Sequence, residues 1–142
     1  MVFFFGWAIG GAILAALFVV AARRSIQWEK RLLSGSLFLL GLWYLAWGVW
    51  AGTPFSVLLP QAIGGTLFAA FGWLGLTRSL FFAGLGWMLH ATWDFASPDF
   101  SDVSYMPDWS APACLGFDIL LGVYLLARTQ GHFNITPHQA RS

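Results

Sequence analysis

From Val2 to Ala22 the chain is apolar without a break, about the twenty residues a helix needs to cross a hydrocarbon core. Gly6 and Gly10 lie four apart in it, a small-xxx-small spacing that permits close helix approach. The stretch from Arg23 to Arg31 is the most charged in the protein. A second apolar segment runs over 32–51 and ends in Trp43, Tyr44, Trp47 and Trp50, and Gly52-Thr53-Pro54 reads as a turn. A third covers 55–76, with Pro60 in its opening turns, where a missing amide is tolerated. Thr77-Arg78-Ser79 is so short that the fourth segment, 80–96, must return antiparallel to the third. A polar outer loop over 97–110, a fifth segment over 111–127 and a polar tail over 128–142 complete the chain. The pattern predicts one all-α domain, a polytopic membrane bundle of five transmembrane helices.

Composition agrees. Of 142 residues, 58% are hydrophobic and only 9% charged, which excludes a water-soluble surface and leaves the lipid bilayer as solvent. Nothing in this charge balance suits nucleic acid. Threading five spans alternately places Arg23, Arg24, Lys30, Arg31, Arg78, Arg128 and Arg141, all seven basic residues, on one side. By the positive-inside rule the N-terminus is expected outside and the C-terminus in the cytoplasm. No basic region precedes the first apolar run, so it reads as a spanning helix rather than a cleaved signal. The single Cys114 excludes an intramolecular disulfide.

The acids single out a site. Glu29 falls in the charged cytoplasmic connection, and Asp99, Asp102 and Asp108 in the outer loop. Asp94 and Asp118 lie within spanning segments, where an unpaired charge costs a few kcal/mol or more. His90 and Asp118 come from helices of opposite direction, yet each sits about 10 Å below the outer edge at 1.5 Å per residue. Ala83, Gly86, His90 and Asp94 share one face of segment four, and Ala111, Cys114, Asp118 and Gly122 one face of segment five. These faces are expected to pack together, gathering His90, Asp94, Cys114 and Asp118 into a pocket open to the outside, with Gln61 of segment three in reach. As a packing device, the cluster is a hydrogen-bonded pair that fixes the helix contact, with the other carboxyl neutralised. As an acid/base site on a lipophilic molecule, Asp118 is the buried acid or base, His90 the proton carrier and Asp94 its orienting group. As a metal site, His90, Asp94, Cys114 and Asp118 supply imidazole, carboxylate and thiolate ligands suited to a divalent transition metal.

Trp43, Trp47 and Trp50 form a stripe at helical spacing and, with Trp7, Trp93 and Trp109, concentrate tryptophan toward the outer face. That is an interfacial aromatic belt, or a wall for a flat ligand such as a quinone, isoprenoid or pigment. Trp87, Trp93, Trp109 and Gln61 are the candidates to line such a ligand. Asp99 to Asp102 reads as a solvated loop or a lid, and His132 and His138 as ordinary tail residues. Asn134-Ile135-Thr136 matches a glycosylation sequon but falls in the cytoplasmic tail. No phosphate loop, nucleotide fingerprint, haem-attachment motif or serine-nucleophile motif occurs. A non-enzymatic accessory subunit, packed against a larger respiratory, photosynthetic or transport complex, fits the same apolar faces. A proton- or metal-conducting homo-oligomer fits less well, since the inner half offers few polar residues besides Ser34 and Ser36.

Gly84-x-Gly86-Trp87-Met88-Leu89-His90-Ala91-x-Trp93-Asp94, then Pro107-x-Trp109 and Cys114-x-x-x-Asp118, resembles a group of small bacterial integral membrane proteins catalogued as domain of unknown function 6010. The resemblance covers roughly the C-terminal third. It implies a multi-pass protein of a bacterial plasma (inner) membrane and supports the same site residues without naming a reaction. The family carries further histidines after its Trp-Asp pair. Here Phe95-Ala96-Ser97-Pro98 stands instead, which argues against a multi-histidine metal site.

Overall fold

A computed structural model describes residues 2–52, 54–96 and 109–131. Among them are five helices and no strand: α1 (Val2–Ala22), α2 (Ile26–Trp50), α3 (Phe55–Thr77), α4 (Leu80–Ala96) and α5 (Ser110–Thr129). Four of these, all but α4, are long and apolar enough to cross a membrane. At 17 residues, α4 is the shortest. The predicted boundaries of the third and fourth segments are met to within a residue, whereas the second starts six residues earlier than the apolar pattern indicates. The cause is a cap: Ser25 Oγ accepts the Trp28 backbone N–H at 3.1 Å, which starts the helix ahead of the charged residues. The first connection therefore shrinks to Arg23, Arg24 and Ser25. At its far end α2 closes through Gly52, whose φ of 63° is the left-handed conformation glycine permits.

The helices meet through glycine. A Cβ on Gly41 would lie 2.4 Å from both the Ala69 nitrogen and the Gly65 oxygen, so α2 and α3 touch backbone to backbone. The α1–α5 contact is equally close, with Gly11 against Ala113 and Gly116 against Ala8. Gly6 and Gly10, the pair that the spacing suggests as a packing face, have nothing within 4 Å of a built Cβ. The α1 contact runs instead along Ala8, Gly11 and Ala15, the last fully buried. Small-xxx-small spacing identifies faces on which contact is cheap, and the neighbouring helix decides which face is used.

The packing of α4 also differs from expectation. Its Ala83 meets Gly75 of α3, and its Gly86 faces Leu37 of α2 and Phe71 of α3. The contact with α5 is made one step around the helix, through Gly84 against Leu125 and Leu126 and through Met88 against Gly122. A central layer of Leu33, Leu37, Trp87, Leu121 and Leu125 is buried between α2, α4 and α5. Outward positions such as Ile9, Ile13, Leu17 and Val20 of α1 are widely exposed; continuous apolar surface of this kind belongs against lipid.

The described basic residues share one end of the bundle. Arg23, Arg24, Lys30 and Arg31 flank the α1–α2 turn, Arg78 the α3–α4 turn, and Arg128 is in the last turn of α5. The opposite end carries tryptophan: Trp43, Trp47 and Trp50 run in contact, with ring centroids 5.2 and 4.8 Å apart, and Trp7 lies against Trp109 at 5.3 Å.

Candidate functional site

Toward the tryptophan end, three helices each contribute one polar side chain at matching depth. Tyr44 is six residues from the end of α2, His90 six from the end of α4, and Asp118 eight from the start of α5. At 1.5 Å per residue these are depths of about 9–12 Å. Nδ1 of His90 is 2.6 Å from Oδ2 of Asp118, and the Tyr44 hydroxyl is 3.2 Å from Nε2 of the same ring. His90 and Asp118 are each only 2% exposed. The chain Tyr44–His90–Asp118 thus ties α2, α4 and α5 together inside an apolar bundle.

Its surroundings are aromatic. Phe68 of α3 stands edge-on to the imidazole with centroids 4.8 Å apart. Trp93 packs over Gly64, 6.2 Å from Phe68. Trp87 closes the side toward the basic end: its Nε1–H donates to the Leu33 carbonyl at 3.0 Å, and its ring lies 6.4 Å from that of His90. Trp87 is therefore both a fastener of α4 to α2 and the floor of the site. Beyond it pack Leu33, Leu37, Leu121 and Leu125.

Burial favours a pair with no net charge. A net charge on the pair is costly in a low-dielectric interior. A net-neutral pair holds one proton between Nδ1 and Oδ2 and a second on Nε2. Nε2–H then donates to the Tyr44 oxygen, and the phenolic hydrogen is directed away from the ring. A phenol that accepts a hydrogen bond from such a pair is a competent proton donor, because the imidazole can restore what the phenol gives up.

The remaining expected site residues divide. The Asp94 side chain and residues 97–108, with the suggested lid, lie outside the described residues. Cys114 is half-buried, one turn before Asp118 on α5. Among the described residues no three His, Cys, Asp or Glu side chains are grouped to hold a metal; the Asp94 side chain, one of the four expected ligands, is not among them. Gln61 is buried and sits against Gly48 of α2. Trp109 is exposed beside Trp7 at the α1–α5 seam.

Two features escape a reading of the sequence. Tyr44 sits among tryptophans and reads as part of an aromatic belt. Gly41 and Gly48, three before and four after it, mark the face of α2 that meets α3, and that spacing was the available signal. Glu29, assigned to the charged cytoplasmic connection, is instead within α2 and 1% exposed. The Tyr124 hydroxyl donates to its Oε1, and Arg128 Nε lies 3.6 Å from the same oxygen. Capping at Ser25 draws Glu29 into the first turn of α2 and turns it toward α5, where Tyr124 and Arg128 are one helical turn apart.

Comparison with models of known protein families, with curated proteins and with solved structures finds no match.

Proposed function

We propose that this chain is a five-span protein of a bacterial plasma membrane and that Tyr44, His90 and Asp118 form a proton-transfer site for a lipophilic small molecule. Its N-terminus would be outside and its C-terminus cytoplasmic, as the basic end requires under the positive-inside rule. The fifth span is α4, which needs little tilt or a thin bilayer at 17 residues. The resemblance to the uncharacterised bacterial family agrees with this reading. The observation that carries it is the continuous hydrogen-bonded chain from Asp118 Oδ2 through both ring nitrogens to the Tyr44 hydroxyl.

Two features favour a lipid-soluble substrate. The site lies about 10 Å from the end of the bundle, and its walls are Phe68, Trp87 and Trp93. A quinone or a functionalised isoprenoid would present a carbonyl or hydroxyl oxygen to Tyr44 while its flat or apolar body met the rings. Tyr44 would deliver or take the proton, His90 would carry it, and Asp118 would hold the imidazole in place and balance its charge.

The test is gentle purification into nanodiscs, followed by mass spectrometry of solvent-extracted small molecules. The wild-type protein should retain a lipophilic compound near one per chain. Tyr44→Phe and Asp118→Asn should each lower retention at least tenfold while helical content persists, the usual cost of leaving a polar group of ligand or site unpaired. Stoichiometric recovery of larger partner proteins, with no such compound, would overturn the proposal in favour of an accessory subunit.

A further inference from the structure

Away from that site, a trough of about 560 Å³ runs along the outside of the α1–α5 seam. Ala12 and Gly116 are at one end of its lining, Ile119 and Val123 along it, and Tyr124 and Ala127 at the other. From Gly116 to Ala127 the helix rises about 17 Å, close to half of a hydrocarbon core roughly 30 Å thick. The trough is therefore one leaflet deep. Its length and apolar lining suit an extended hydrocarbon chain.

The trough ends in positive charge. Tyr124 lies within the electrostatic reach of both Arg23 and Arg128. Arg128 is engaged with Glu29. Arg23 and Arg24 are exposed, and among the described residues no carboxylate pairs with either. An occupant must be apolar over one leaflet and anionic at the basic end. We propose that this seam is a binding site for an anionic phospholipid, with an acyl chain in the trough and the phosphate at Arg23 and Arg24. Basic residues at the interfacial end of a cleft between membrane helices provide this kind of headgroup site. The proposal needs the helices to span the membrane but is independent of any chemistry at His90.

Native mass spectrometry of the delipidated full-length protein, titrated with dioleoyl-phosphatidylglycerol or dioleoyl-phosphatidylcholine, tests it. Wild type should retain the anionic lipid on the order of tenfold better than the zwitterionic one. Arg23→Gln with Arg24→Gln should bring that ratio near one, with Lys30 and Arg31 left in place to maintain insertion. Val123→Trp, which fills the trough from an exposed position, should lower retention of both lipids without loss of helicity. Equal retention of the two lipids by wild type would show an ordinary lipid annulus and overturn the proposal. So would a preference that survives the paired arginine change, or retention that the tryptophan leaves unchanged.

Discussion

Gly116→Val is expected to prevent α1 from docking on α5, whereas Gly6→Val in the facing helix should be nearly silent. A Cβ at position 116 would lie 1.9 Å from the Ala8 carbonyl oxygen, a backbone atom that cannot turn aside. The two helices would have to separate along their whole contact, and the companion close approach of Gly11 to Ala113 would open with them. A cost of about 3 kcal/mol, the upper end for over-packing, is the expectation. Thermal unfolding in detergent should fall by about 10 °C on that basis. At Gly6 nothing lies within 4 Å of the built Cβ, and valine there adds lipid-facing surface only. Equal behaviour of the two variants would mean that the seam is not packed as described.

The second large effect belongs to the buried ion pair at the basic end. Arg128→Leu removes the guanidinium beside a carboxylate that is 1% exposed. It should destabilise the bundle by about 3–5 kcal/mol, the cost of leaving a buried charge without its partner. Glu29→Gln should cost less, because the Arg128 side chain is at the end of α5 and can reach toward water, while Tyr124 can still donate to the amide oxygen. The order of the two variants in a detergent melting series is the check. Glu29→Gln as the worse of the two would contradict the assignment of Glu29 as the buried member. In combination, the two changes should be less than additive, as expected for residues that share one contact.

These results bear on what the residue order conveys. Four of the five helices could be placed within two residues at each end because long apolar runs are bounded by turn chemistry such as Gly52-Thr53-Pro54 and Arg78-Ser79. The His90–Asp118 contact could be anticipated from equal depth in two oppositely directed helices, and the 2.6 Å distance bears that out. What could not be read was azimuth. Whether Gly86 meets α5 or α2 depends on how α4 is rotated in a bundle whose other faces are just as apolar, and Leu37 and Phe71 hold it there. The same gap concealed Tyr44, whose neighbours in sequence are belt tryptophans but whose neighbour in space is an imidazole. Glu29 was concealed differently. In a charge run each member reads as solvated, and only the Ser25 cap shows that the run is already helix and one side of it turned inward.

The central claim is that Tyr44, His90 and Asp118 share protons as one chain. It is tested most directly by the ¹⁵N spectrum of His90 in nanodiscs. With His132→Gln and His138→Gln, His90 is the sole histidine of the chain, so its two ring nitrogens can be read without overlap. Nε2 should be protonated at neutral pH, and Nδ1 should share a strongly deshielded proton with Asp118. Asp118→Asn should change the Nδ1 signal, and Tyr44→Phe the Nε2 signal. A bare Nε2, or ring signals indifferent to both substitutions, would contradict the chain and with it the proton-transfer function.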